Sequence, residues 1–127
     1  FEGIELTVFS GYRSYTRQEE LFTNGNDPMY IAMAGHSEHQ TGLAIDVSTK
    51  DTGLTSYFEN TLSFHFLKNN AYKYGFILRY PKDKTEITGY GYEPWHYRYV
   101  GVEVAKYIYE NNLTLEEYIY NYTIINA

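Results

Sequence analysis

The run Gly42-Leu43-Ala44-Ile45-Asp46-Val47-Ser48 alternates with a period of two, the pattern of a strand that presents one apolar face. Leu43, Ile45 and Val47 share that face, and Ala44, Asp46 and Ser48 point the other way. Any fold of this chain must therefore hold a carboxylate within a strand, and a carboxylate beside an apolar run carries a desolvation cost unless something pairs with it. His39 lies seven residues upstream, within Ser37-Glu38-His39-Gln40-Thr41. A metal ion is one partner that would use both side chains.

The rest of the chain supplies short strands and helices without a regular βαβ alternation, which predicts an α+β fold. Ile4 to Ser10 alternates, with Ile4, Leu6 and Val8 on one face, and is expected to be a strand ended by Gly11. Phe76 to Tyr80, halted by Pro81, and Trp95 to Val100, after a glycine-rich turn, are further strand candidates. Helices are expected over Thr16–Phe22, from Ser56 through Phe64, Leu67 and Ala71 to Tyr74 with Gly75 closing, over Val102–Glu110 and over Leu115–Tyr122. Capping-box spacing marks two of the starts, Ser56 with Glu59 and Thr114 with Glu117.

Length allows one domain, and 127 residues bury most of the surface that the unfolded chain exposes. A net charge of −6 without any Lys/Arg cluster argues against a nucleic-acid partner. The chain has no cysteine, which removes disulfides, thiol nucleophiles and Cys-type zinc sites together. No run is apolar enough to span a bilayer. Phe1 stands where a methionine would start a chain, so the sequence is expected to be a processed or excised piece, with any anchor or export signal upstream.

Glu93-Pro94-Trp95-His96 brings a second acid and a second imidazole about fifty residues after the first pair. Two neutral imidazoles and one carboxylate around Zn²⁺ leave a position for water, the layout of a catalytic zinc, and the remaining carboxylate is then available as a base. Asp46, short and fixed on a strand, suits a ligand. Glu93 and His96 would face opposite sides of a regular strand, but Pro94 takes Glu93 out of the ladder, from where its longer side chain swings back as the base. His65 is expected to be a partly exposed helix residue, and His36 a polar group in a turn, close enough to His39 to support it.

Four segments in order, Ser10-Gly11-Tyr12-Arg13-Ser14, SEHQTGLAID at 37–46, FILRYP at 76–81 and EPWHYRYVG at 93–101, closely resemble the zinc D-alanyl-D-alanine carboxypeptidases of the VanY type, which include the LdcB-like L,D-carboxypeptidases. The resemblance implies a small antiparallel sheet flanked by helices, with the zinc site on the sheet face. It implies His39, Asp46 and His96 as zinc ligands, Glu93 as the catalytic acid/base, and Arg13 as the cation beside the scissile carbonyl oxygen. Ser37, Gln18 and Tyr80 would then line the substrate pocket. Departures are Ala34-Gly35, where the family usually has Pro-Gly, and Phe66, where a tryptophan commonly precedes Leu67. Helical sequence that the family places before the first strand is also missing.

The function this implies is removal of the terminal D-alanine from peptidoglycan stem peptides by a monomeric zinc D,D-carboxypeptidase on the wall side of the bacterial membrane. The alternatives are L,D-carboxypeptidase activity on tetrapeptide stems and a wall-binding module without catalysis. A penicillin-binding serine peptidase is excluded, because no serine here is followed three residues later by lysine.

Overall fold

The computed structural model describes residues 3–126. Strands β1 (Thr7–Ser10), β2 (Ala44–Ser48), β3 (Phe76–Leu78) and β4 (His96–Tyr99) form one antiparallel sheet in the order β1-β2-β4-β3. Helices α1 (Tyr15–Thr23), α2 (Leu62–Asn70), α3 (Thr85–Thr88), α4 (Val102–Glu110) and α5 (Leu115–Asn126) complete the α+β architecture expected from the sequence. No helix among the described residues is long and apolar enough to cross a membrane.

Register turns the alternation of β2 into two different environments. Ile45 lies opposite Tyr97 of β4, and Val47, Tyr97 and Ala71 form a buried cluster against which Ile45, Leu67, Phe76 and Leu78 pack. Asp46 and its cross-strand neighbour His96 fall on the opposite face. On β3 that same face carries Ile77, which joins Ala105 and Ile108 of α4 and Leu115 of α5 in a second cluster. The polar pair on β2 and β4 thus sits beside a rigid apolar block.

Several expected elements differ from the structure. The first strand begins at Thr7, and Leu6 and Val8 are exposed, Val8 at 62%. β1 is an edge strand paired only with β2, and a register shift between Val8 and Ser10 breaks its alternation, so its apolar residues meet no covering layer. The single helix expected from Ser56 to Tyr74 is three pieces, a 3-10 turn at Ser56–Asn60, then α2, then a second 3-10 turn at Ala71–Tyr74. Thr61 is extended (ψ 156°) and is the true cap, its Oγ1 accepting from the Phe64 N–H at 3.1 Å. Ser56 and Glu59 make no capping box, because Glu59 is drawn to Lys82.

Other local signals hold. Thr114 and Glu117 cap α5 reciprocally, Glu117 N–H to Thr114 Oγ1 at 3.0 Å and Thr114 N–H to Glu117 Oε1 at 2.9 Å. Gly75 ends the α2 region at φ 89°, where a Cβ would stand 2.6 Å from the Tyr99 ring, so only glycine closes this turn.

Tyr97 is buried, and its hydroxyl has no partner among the described residues. An unpaired buried hydroxyl costs about 1–3 kcal/mol, so Tyr97→Phe is expected to leave stability unchanged or raise it by up to about 1 kcal/mol in urea unfolding. A clear fall in the urea midpoint would show that the hydroxyl has a partner.

Candidate active site

His39 is carried by a 3-10 turn, Glu38–Thr41, that Ser37 caps by accepting the His39 N–H at 3.3 Å. Gly42, at φ 77°, closes the turn and feeds β2, which explains how His39 and Asp46 meet across a short loop. The His39 ring is buried with Nδ1 2.8 Å from the Gly11 carbonyl and Nε2 3.2 Å from Asp46 Oδ1. A carbonyl only accepts, so Nδ1 carries the proton and Nε2 keeps its lone pair toward Asp46.

His96 opens β4 directly opposite Asp46. Its Nε2 lies 2.8 Å from Glu38 Oε1, while Nδ1 faces Glu93 Oε1 at 3.3 Å and Asp46 Oδ1 at 3.6 Å. One ring nitrogen on each histidine is thus held from behind, and the other turns toward Asp46. Candidate ligand atoms of His39, Asp46 and His96 all lie within 4.8 Å of one another, and all three residues are buried.

Glu93 stands before the β4 ladder, as expected from Pro94, and a tight turn at Pro94-Trp95 joins it to His96. The His96 N–H bonds back to the Glu93 carbonyl at 3.3 Å, and the Glu93 N–H bonds to the Tyr80 carbonyl at 3.0 Å. The carboxylate is buried, and its Oε2 has no partner among the described residues. Burial raises its pKa, with the His96 hydrogen bond offsetting part of the rise. Such a carboxylate is suited to exchanging protons nearer neutrality.

Burial pulls the His96 pKa down, but hydrogen bonds to Glu38 and Glu93 and the charge of Asp46 outweigh it and push it up to about 9. The surrounding carboxylates therefore favour positive charge at Nδ1. Converging donors of N and O type, fixed from behind and set among acids, fit a zinc ion.

Arg13 donates from Nε to Ser10 Oγ at 3.1 Å, from NH1 to Gln18 Oε1 at 3.0 Å and from NH2 to Asp46 Oδ2 at 3.2 Å. Asp46 is thereby held through Oδ2 while Oδ1 faces the imidazoles. Arg13, Ser37, His39, Asp46, Tyr80, Glu93 and His96 line one cleft of about 530 Å³, whose further walls include Tyr30, Tyr90 and Trp95. The Tyr80 ring packs at a tilt of 60° against His96, ring centroids 4.8 Å apart. Gln18 stands behind the cleft and not in it: it is fully buried in α1, accepts from Arg13 and donates to the Ala32 carbonyl at 2.7 Å. These two bonds tie Arg13 to α1 and to the Ala32 carbonyl. His36 and His65 are both exposed.

Sequence reasoning missed Glu38. Its Oε1 meets His96, and its Oε2 accepts from Arg79 Nε and Arg98 NH1, both at 2.9 Å. Burial alone would raise this carboxyl, yet the His96 hydrogen bond and the Arg79 charge hold it down at about 2. A depressed carboxyl contributes stability that is complete above its unfolded value of 4.5 and is lost as pH falls toward about 2. Wild-type stability is therefore expected to decline more steeply between pH 5 and 2 than that of Glu38→Gln, by urea unfolding across that window. Parallel slopes would mean that Glu38 is not held as an anion.

The VanY family, described as D-alanyl-D-alanine carboxypeptidase, matches residues 1–102. The chain belongs to this family. The VanY match includes every candidate site residue, from Arg13 to His96. YodJ of Bacillus subtilis (strain 168) is 52% identical over 126 residues, covering 92% of this chain and 46% of that protein. The structure of LdcB, an LD-carboxypeptidase studied for peptidoglycan recognition, superposes with a TM-score of 0.85 at 51% identity, covering 93% of this chain and 59% of that one. A mutant of the vancomycin-resistance D,D-pentapeptidase VanY in complex with Zn(II) gives a TM-score of 0.78 at 41% identity, covering 93% and 73%. The chain spans about half the length of the curated relatives it matches.

Proposed function

We propose that this chain is the catalytic domain of a zinc carboxypeptidase that removes the terminal D-alanine from peptidoglycan stem peptides as a monomer. The observation that carries the reading is the convergence of His39, Asp46 and His96 within 4.8 Å beside a buried Glu93 oxygen that has no partner among the described residues. A zinc ion held by those three residues would supply a Lewis acid and lower the pKa of a water. Glu93 takes the proton of the attacking water and returns it to the leaving amine. Arg13 orients Asp46 and brings its positive charge to the wall of the cleft, where it faces the oxygen of the scissile carbonyl as charge develops there. Burial of His39, Asp46, Glu93 and His96 keeps bulk water from screening these charges.

Membership in the VanY family of D-alanyl-D-alanine carboxypeptidases and the likeness to the Zn(II)-bound D,D-pentapeptidase support D,D activity on pentapeptide stems. The 51% identity to LdcB favours a second reading, L,D activity on tetrapeptide stems. Such substrates lie outside the cytoplasmic membrane, so wall-side action, with export or anchoring by sequence upstream of Phe1, is part of the proposal. The test is D-alanine release by zinc-loaded protein from a pentapeptide ending in D-Ala-D-Ala and from the matching tetrapeptide. Faster release from the pentapeptide is expected; preference for the tetrapeptide would select the L,D reading, and release from neither would contradict both.

A further inference from the structure

Helix α5 lies beyond the residues matched to the VanY family, yet one of its side chains reaches toward the site. Arg79 sends both terminal nitrogens to Glu116, NH1 to Oε1 at 2.7 Å and NH2 to Oε2 at 2.8 Å. Only Nε is left for Glu38, at 2.9 Å from Oε2. A guanidinium prefers to meet a carboxylate through two parallel N–H bonds. Glu116 occupies that fork, so Glu38 receives one bond from Arg79 and one from Arg98, both on Oε2, and its Oε1 stays with His96 Nε2.

We propose that Glu116 is a positioning residue for His96: by holding the Arg79 fork away from Glu38, it preserves Glu38 Oε1 as the acceptor that turns His96 Nδ1 toward the metal. Without Glu116, the nearest carboxylate for the fork is Glu38, where bidentate pairing takes both oxygens and displaces the imidazole. His96 then loses the contact that fixes its ring and its tautomer. Glu116 is the outer end of this chain of contacts, with its side chain 33% exposed against 10% for Arg79 and 9% for Glu38, so replacing it does not open the core. The inference rests on the reading of His39, Asp46 and His96 as zinc ligands.

The neighbouring acid provides the control. Glu117 caps α5 through Thr114 and pairs with Lys84, so Glu117→Ala disturbs the start of the helix without removing a bond to Arg79. The measurement is the zinc dissociation constant of each folded variant, by competition of zinc alone with a chromophoric chelator. Glu116→Ala is expected to bind zinc about tenfold more weakly than wild type, and Glu117→Ala within about twofold of it. Should Glu116→Ala lose its fold, Glu116→Gln, which keeps one acceptor for the fork, carries the same test with a smaller loss. Wild-type affinity in the Glu116 variant, or an equal loss in Glu117→Ala, would overturn the inference and leave the zinc reading standing. A wild-type protein that takes up no zinc would overturn both.

Discussion

Glu93→Gln is expected to reduce D-alanine release by about 10²–10⁴-fold while leaving zinc content unchanged. The substitution keeps the shape of the side chain and removes its ability to take a proton. Glu93 is buried beside His96, with one oxygen 3.3 Å from Nδ1 and the other without a partner among the described residues. That second oxygen is the one placed to receive a proton from water in the cleft. Because the proposed ligands His39, Asp46 and His96 converge without it, the metal should remain. Elemental analysis alongside turnover separates the roles: loss of zinc in the glutamine variant would make Glu93 a ligand, and unchanged turnover would remove it from the chemistry.

Asp46→Ala should have the opposite signature, losing metal and stability together. Asp46 touches His39 through Oδ1 and Arg13 through Oδ2, with both side chains of the Arg13 pair largely buried. Breaking a buried pair from one side leaves the other charge uncompensated, at a cost of about 3–5 kcal/mol. Zinc content is therefore expected to fall to background, and urea unfolding to show a loss of about that size. Zinc retained at the wild-type level would move the ligand role to Glu93.

What was legible in the sequence follows the range of the interactions. The Thr114/Glu117 cap needs only residues three apart and forms as expected, and the alternation of Gly42–Ser48 placed Asp46 on the correct face because β2 is paired on both sides. The Ser56/Glu59 spacing is equally local, yet a tertiary pair between Glu59 and Lys82 and an extended Thr61 win over it. Leu6 and Val8 carry a strand pattern whose burial depends on a covering layer that no local rule supplies. Of the site, the residues proposed as ligands and base are recognisable by residue type and order. Glu38 was not, because its partners Arg79, His96 and Arg98 lie 41, 58 and 60 residues away and only the sheet brings them together.

Hydrolysis is proposed to depend on a metal held by His39, Asp46 and His96 and on no serine. D-alanine release from a stem pentapeptide should be followed with zinc-loaded protein in excess β-lactam, then after stripping with o-phenanthroline, then after zinc is restored. No serine here has lysine three residues on, so an acylating drug has no activated nucleophile to trap. The expected result is release that continues in β-lactam, stops on stripping and returns with zinc. Full release from the metal-free protein, or stable acylation of a serine by the β-lactam with loss of activity, would contradict the account.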